Sequence, residues 1–372
     1  MSALKGIRVL ELGRVPPLEL PGMMLADMGA DVIKVESPNG IEADEQAAEN
    51  ARRSYTNRNK RSVILDLKTA SGVSDLMNLV RESDVVVEGF RPGVVKRLGV
   101  DYDSVRALNP RLVYCSMSSF GQTGPDRLKP GHDLNFLARS GALSLIHAAG
   151  GHAGIPLNLI ADNGGAALHA ALAIMFALFA RERGGPGQFI DISYLDCTVA
   201  LLAATPNLRQ LITTGHVPRA DQGVFCGDFP YYGVYAARDG CRLAVACSEA
   251  HLWSNFCGAI GLPELAVHSR SDEHYRRCAN AAELEARAKV QARLLERDAS
   301  EWMSHLNRFD VCVTLVNDIE QVLADPQLQA RGMVSVEGGR VRFGSPFQLS
   351  VNTPVTVGRG PVPGEHTASL LG

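Results

Sequence analysis

None of the eight cysteines stands in a CxxC pair or at metal-ligand spacing, so neither a zinc site nor a disulfide framework is supported. Several, such as Cys247 after Leu-Ala-Val-Ala, sit in apolar strand-like text and read as buried thiols of a reducing cytoplasm. Excess charge is missing too. Lys and Arg number 37 against 40 Asp and Glu, a net −3 that offers nucleic acid no basic face. No secretory leader is visible, because Met1-Ser-Ala-Leu-Lys-Gly6 runs straight into a strand. The longest uninterrupted apolar run, residues 170–180, is too short to span a bilayer, so a cytoplasmic protein without a membrane partner is expected. There is no internal repeat and no low-complexity segment. What remains is a globular composition, 46% hydrophobic and 21% charged, over 372 residues, enough for two domains.

Residues 6–36 read as strand, loop, helix and strand, ending in the acidic Glu36, a βαβ unit of the kind that binds dinucleotides. A nicotinamide or flavin is nevertheless disfavoured. The turn after the first strand, Gly13-Arg-Val-Pro-Pro-Leu18, has no GxGxxG, and prolines stand where glycines would admit a pyrophosphate. Strands and helices alternate through Asn57–Lys68, a helix from Ala70 to Arg81, Asp84–Glu88 and Leu112–Met117, which predicts a doubly wound, parallel α/β sheet. Arg58, Lys60, Arg61, Arg91 and Arg97 mark strand ends, where they either meet phosphates or form a solvated rim. Residues 206–224 read as a linker. Beyond them Asp239-Gly240 between two alternating apolar runs predicts a hairpin, and charged helices over 281–296 and 299–307 complete a smaller α+β domain. The predicted division is a large domain over 1–205 completed by 333–372, a linker at 206–224, and a small domain at 225–332.

The stretch 130–165 carries two titratable groups at its ends. Asp162-Asn-Gly164-Gly165 precedes a helix that is apolar almost all round, so Asp162 reads as its N-cap, and the N–H groups of Asn163–Gly165, or those near His132–Asp133, are candidates to hold an oxygen that gains charge. His132 follows a Pro-Gly turn and opens an earlier helical segment. Taken singly, Asp162 is an ordinary cap and His132 a structural or surface histidine; together they form an acid–base pair.

The chain resembles the family III CoA-transferases of the CaiB/BaiF type, and within them the α-methylacyl-CoA racemase branch. The likeness runs nearly end to end. It rests on Leu-Ala-Asp-Met-Gly-Ala-Asp-Val-Ile-Lys-Val-Glu-Ser-Pro, Asn-Arg-Asn-Lys-Arg-Ser-Val-Ile-Leu-Asp-Leu-Lys, Glu-Gly-Phe-Arg-Pro-Gly and Ser-Ser-Phe-Gly-Gln-Thr-Gly-Pro. Gly-His-Asp-Leu-Asn-Phe, Pro-Leu-Asn-Leu-Ile-Ala-Asp, Gly-Pro-Gly-Gln and Gly-Glu-His-Thr follow in family order. The resemblance implies a Rossmann-like large domain built from both chain ends, a smaller middle domain, and two chains interlocked as rings. It implies an acyl-CoA substrate, with CoA carried as part of that substrate and no separate cofactor or metal. By position, Leu65, Asp66, Leu67, Lys68, Gly89, Phe90, Arg91 and Arg97 would hold the nucleotide and phosphates, and Gly131, Asp133 and Asn135 would border the thioester. The catalytic set it implies is His132, Asp162 and Glu249, with Glu249 orienting the histidine.

Two chemistries stay open under that resemblance. In a racemase Asp162 and His132 work on opposite faces of the α-carbon, moving a proton through an enolate. In a transferase Asp162 is a nucleophile that forms a mixed anhydride, and the position of His132 is generally not basic. The His-Asp-Glu set favours the racemase acting on a 2-methyl-branched acyl-CoA, with CoA transfer between carboxylic acids as the alternative. A related isomerase or lyase and a non-catalytic CoA-binding role are weaker alternatives. Departures lie at Val-Pro-Pro-Leu-Glu19-Leu-Pro-Gly, where relatives carry small residues, at Ser37, where they often place an arginine, and at 225–230, Phe-Cys-Gly-Asp-Phe-Pro.

Overall fold

The computed structural model describes residues 2–13, 15–39, 41, 44–146, 154–337 and 339–372. The chain divides into two compact units. One comprises Met1–Ser140, Pro156–Ala200 and Pro326–Gly372; the other comprises Gly141–Ile155 and Leu201–Asp325.

The first unit is built on six parallel strands: β1 (Arg8–Leu12), β2 (Asp31–Glu36), β3 (Arg61–Ile64), β4 (Val85–Glu88), β5 (Val113–Ser118) and β6 (Phe189–Ser193). Their order is β3-β2-β1-β4-β5-β6. Val9 lies between Val32 and Val85 in register, and strands of this β-branched kind are buried on both faces, as a parallel sheet between helical layers requires. The order reverses between β1 and β4, which opens a crevice beyond their carboxyl ends. Prolines 16 and 17 open the helix Pro16–Asp27, where a missing N–H costs nothing.

Beneath that helix lies a buried ion network. Lys60 Nζ reaches both Glu11 oxygens at 2.9 and 2.8 Å and the Glu19 carbonyl at 2.8 Å. Lys34 pairs with Glu19 at 2.7 Å and Glu36 at 3.5 Å, and Arg58 Nε donates to Asp27 at 3.0 Å. Three carboxylates therefore share two ammonium groups, and burial pushes the Glu11 carboxyl up to about 7 against the pull of Lys60. This corrects the expected basic edge: Arg58 and Lys60 are buried, and Arg61 pairs with Asp31, so none is a free phosphate ligand. Glu36 is likewise internal, bonded by the Ser62 hydroxyl, rather than open to a ribose.

The π-helical turn Leu159–Ala167 runs on into the helix Leu168–Glu182. Together they form the single stretch among the described residues that is long and apolar enough, by length and composition, to cross a membrane. The expectation from residues 170–180 alone understated it. Ala170, Ile174, Ala177 and Leu178 are buried, and the helix lies against β5, β6 and the Pro16–Asp27 helix, so one face of it serves the core while Leu172, Phe176 and Phe179 stay exposed.

The second unit carries an antiparallel sheet of β7 (Tyr232–Ala236), β8 (Arg242–Ala246) and β9 (Val313–Leu315), the first two joined through Asp239-Gly240. Trp253, Phe256, Trp302, Tyr231 and Tyr235 fill its core. The helix Ala299–Leu306 starts on a capping box between Asp298 and Glu301, and Ala281–Leu294 on one between Asn280 and Glu283. Residues 206–224 hold a helix, Pro206–Thr214. A hairpin of β10 (Val334–Glu337) and β11 (Arg340–Phe343) belongs to the first unit. The eight cysteines are unpaired, and among the described residues no group of three or more His, Cys, Asp or Glu could hold a metal.

Candidate active site

The crevice at the strand-order reversal deepens into a cavity of about 420 Å³, a size suited to a small-molecule site. Segments following three parallel strands wall it: Pro16 and Pro17 beyond β1, Gly89 to Pro92 beyond β4, and Ser118 and Ser119 at the end of β5. Gly131, His132, Asn158, Asp162 and Tyr194 close it.

His132 sits at the head of the helix Asp133–Ser140. Its carbonyl accepts from Asn135 N–H at 2.8 Å, and its own N–H donates to Asn135 Oδ1 at 3.0 Å, so Asn135 and His132 cap one another. Gly131 is required just before it, because a Cβ there would come within 2.6 Å of the buried Phe136 ring. Phe136 in turn packs between Phe120, which it meets edge-on, and the tilted ring of Tyr194, which stiffens the wall behind the imidazole.

Asp162 arrives differently from the sequence expectation. It is not an N-cap but lies inside the π-helical turn, which follows Leu157 in a left-handed conformation, φ +55°. Asn163 N–H already donates to the Asn158 carbonyl, five residues back, and Gly164 and Gly165 lie in the same turn. Those three N–H groups are therefore spent on the helix and are poor oxyanion donors. The consecutive glycines carry no side chains that would oppose a wide turn, and that was the readable signal.

Asp133 holds the two arms together. Its Oδ2 accepts the N–H groups of Ala161 and Asp162, each at 3.0 Å, while its other oxygen is buried with no partner among the described residues. Burial, reinforced by the Asp133 charge, pushes the Asp162 carboxyl up to about 6, against a hydrogen bond from Asn158 and the pull of His132. A carboxyl near that value exchanges protons readily around neutral pH.

Glu88 was not singled out in the sequence. It ends β4 almost wholly buried and accepts Phe90 N–H at 2.7 Å and the Ser116 hydroxyl, fixing the turn that presents Arg91. Ser116 accepts from Gln122 in turn, at 2.8 Å. Burial lifts the Glu88 carboxyl to about 7.

The model of CoA-transferase family III matches residues 4–367. The chain belongs to that family. It is 35% identical over 371 residues to the alpha-methylacyl-CoA racemase of Homo sapiens, covering 99% of this chain and 92% of that one. It is 36% identical over 389 residues to the succinate–glutarate CoA-transferase of Agrobacterium fabrum, covering 99% and 94%. Among solved structures it resembles a CAIB/BAIF family protein from Brucella suis, with a TM-score of 0.82, 30% identity, and coverage of 99% and 98%.

Within this family III chain, the remaining sequence candidates fall in three places. Leu65, Leu67 and Phe90 share one hydrophobic cluster, with Asp66 and Lys68 in the turn after β3 and Arg97 exposed on the short helix Val94–Leu98. Of these, Phe90 reaches the cavity, as do Gly89 and Arg91. Asp133 and Asn135 act behind the lining, as anchor and cap. Glu249 belongs to the second unit, where it is exposed at the N-cap of the helix Ala250–Ala259.

Proposed function

We propose that the chain acts on acyl-CoA thioesters and moves the proton on the thioester's α-carbon, inverting a 2-methyl-branched acyl-CoA through an enolate. One observation carries this: a half-buried carboxylate, Asp162, and an imidazole, His132, open onto the same cavity. An α-proton of a thioester is weakly acidic, so its removal needs a base at contact distance and donors for the enolate oxygen. In one direction ionised Asp162 takes the proton and protonated His132 returns one to the other face; in the reverse direction they exchange roles. For the oxygen we favour the N–H groups of Asp133 and Leu134, which helix geometry leaves without an internal carbonyl. Arg91, exposed at the cavity wall, suits a phosphate of CoA. The racemase relative supports this reading.

A second reading has the broader support among the relatives. In CoA transfer, an Asp162 oxygen attacks the thioester carbonyl, the C–S bond breaks, and CoA leaves as thiolate from a mixed anhydride. The thiolate then attacks the aspartyl carbonyl and releases the first acid as carboxylate. The acceptor carboxylate next displaces the thiolate from that aspartyl thioester to form a second anhydride. The thiolate attacks the acceptor's carbonyl in it, giving the new acyl-CoA and freeing Asp162. The family's own description and the Agrobacterium relative favour it.

One assay separates them. A single enantiomer of a 2-methylacyl-CoA is incubated in D₂O without acceptor acid, and α-deuterium and configuration are followed. Exchange with inversion is expected. No exchange, with CoA passing to an added carboxylate, would replace proton transfer by CoA transfer.

We further propose that two copies of the chain associate, as the resemblance implies. The helix Leu168–Glu182 leaves Leu172 49%, Phe176 64% and Phe179 64% exposed, an apolar face that a second copy would cover. Light scattering that returns a monomer mass would remove the dimer.

A further inference from the structure

At the edge of the first unit, away from the candidate active site, the end of the helix Glu45–Arg52 meets the hairpin of β10 and β11 around a cavity of about 420 Å³. Arginines dominate its lining. Arg52, Arg53 and Arg340 all turn to one carboxylate, Glu49, at 3.7, 2.9 and 3.2 Å. Among the described side chains, three guanidinium groups on a single carboxylate leave an excess of positive charge, and they keep the Glu49 carboxyl below its usual range. The three side chains are between 42% and 59% exposed, so an incoming anion meets them without a desolvation barrier.

The floor of the cavity is built, not incidental. Buried Arg58, paired with Asp27, donates to the Phe343 carbonyl at 2.8 Å and covers one face of the Tyr55 ring at 4.4 Å. Tyr55 meets Phe343 edge-on, with ring centroids 6.0 Å apart, and both rings stay about two-fifths exposed. Asn59 ties the opposite wall, accepting Gly358 N–H at 2.7 Å beside Arg359. Guanidinium forks next to a half-open aromatic pair combine phosphate recognition with a stacking surface.

We propose that this cavity is a second anion site, taking a nucleotide with its phosphates on Arg52, Arg53 and Arg340 and its base against Tyr55 and Phe343. It is separate from the crevice at β1 and β4 and does not depend on which reaction that crevice performs.

The test is calorimetric titration of ADP into the full chain, with three variants alongside: Arg53→Gln/Arg340→Gln, Tyr55→Ala and Arg91→Gln. ADP is expected to bind the native chain, with an affinity that falls as salt rises. The double arginine variant should weaken one binding event tenfold or more, and Tyr55→Ala should weaken the same event several-fold. Arg91→Gln should leave that event in place, and thioester turnover should be unchanged in the double variant. Absence of ADP binding, or binding lost in Arg91→Gln but intact in the double variant, overturns the site. Inorganic pyrophosphate binding as tightly as ADP overturns the assignment to a nucleotide. Loss of thioester activity in every protein would sink the proposed function without touching this result.

Discussion

The Asp133 carboxylate accepts the backbone N–H of Asp162 at 3.0 Å, so one acid both anchors and charges the neighbourhood of another. Asp133→Asn keeps an oxygen for the two N–H groups but removes the negative charge. The apparent pKa of Asp162 should then fall from about 6 toward the ordinary range, and the acid limb of the pH–rate profile should move down with it. Asp133→Ala removes the anchor as well and should lower kcat further at every pH. A profile that does not move in Asp133→Asn would detach the charge from the chemistry.

Asp162→Asn should abolish α-proton exchange and CoA transfer alike, with a loss on the order of 10²–10⁴-fold for the general-base contribution. The check is both assays on one preparation whose thermal unfolding matches the native chain.

His132→Ala separates the two chemistries. Racemisation should fall by a similar factor, whereas a nucleophilic Asp162 would keep transfer within a few-fold of native, because its attack needs no imidazole. His132 is exposed at a helix head, so the variant should fold normally.

Arg91→Ala should raise KM about tenfold with kcat little changed, the signature of binding shared by ground and transition states. An unchanged KM would put the CoA phosphates elsewhere.

Glu88 gives stability a pH dependence. Between its ordinary value of 4.5 and about 7, the folded chain holds a proton at Glu88 that the unfolded chain has lost. Stability from this group therefore falls as pH rises through that window. Glu88→Gln retains an acceptor for Phe90 N–H and should flatten part of the fall, by about 1–3 kcal/mol. Glu11, lifted to about 7 in the same sense, should keep the rest. Urea unfolding at pH 5, 6 and 7.5 measures both.

Much of the fold was legible because its signals are local. Continuous runs such as Val85-Val-Val87 mark strands buried on both faces, and Asp239-Gly240 marks a hairpin; both were observed where the pattern put them. His132 and Asp162 were legible as types and as motif positions, and the structure does bring them to one cavity. What sequence could not show were long-range pairings. Lys60 and Arg58 read as surface cations, yet their partners Glu11 and Asp27 lie 49 and 31 residues away. Glu88 read as the last residue of a strand, and only the fold puts Ser116 beside it. The Asp162 turn was misread for a different reason: a capped α-helix and a π-helical turn share residue preferences and differ in backbone winding.

That winding makes chain length a functional variable. Between Asn158 and Leu168 the helix carries surplus residues relative to an α-helical path, and each α-helical residue advances the direction of a side chain by about 100°. Deleting Gly164 would tighten the winding toward an α-helical path, yet the chain on either side is pinned, by Asp133 before the deletion and by the seated helix after it. Either Asp162 swings away from the cavity or Ala170 and Ile174 leave the core. A loss of one residue here is therefore harsher than most replacements, and homologues that vary freely in sequence through this turn should keep its residue count.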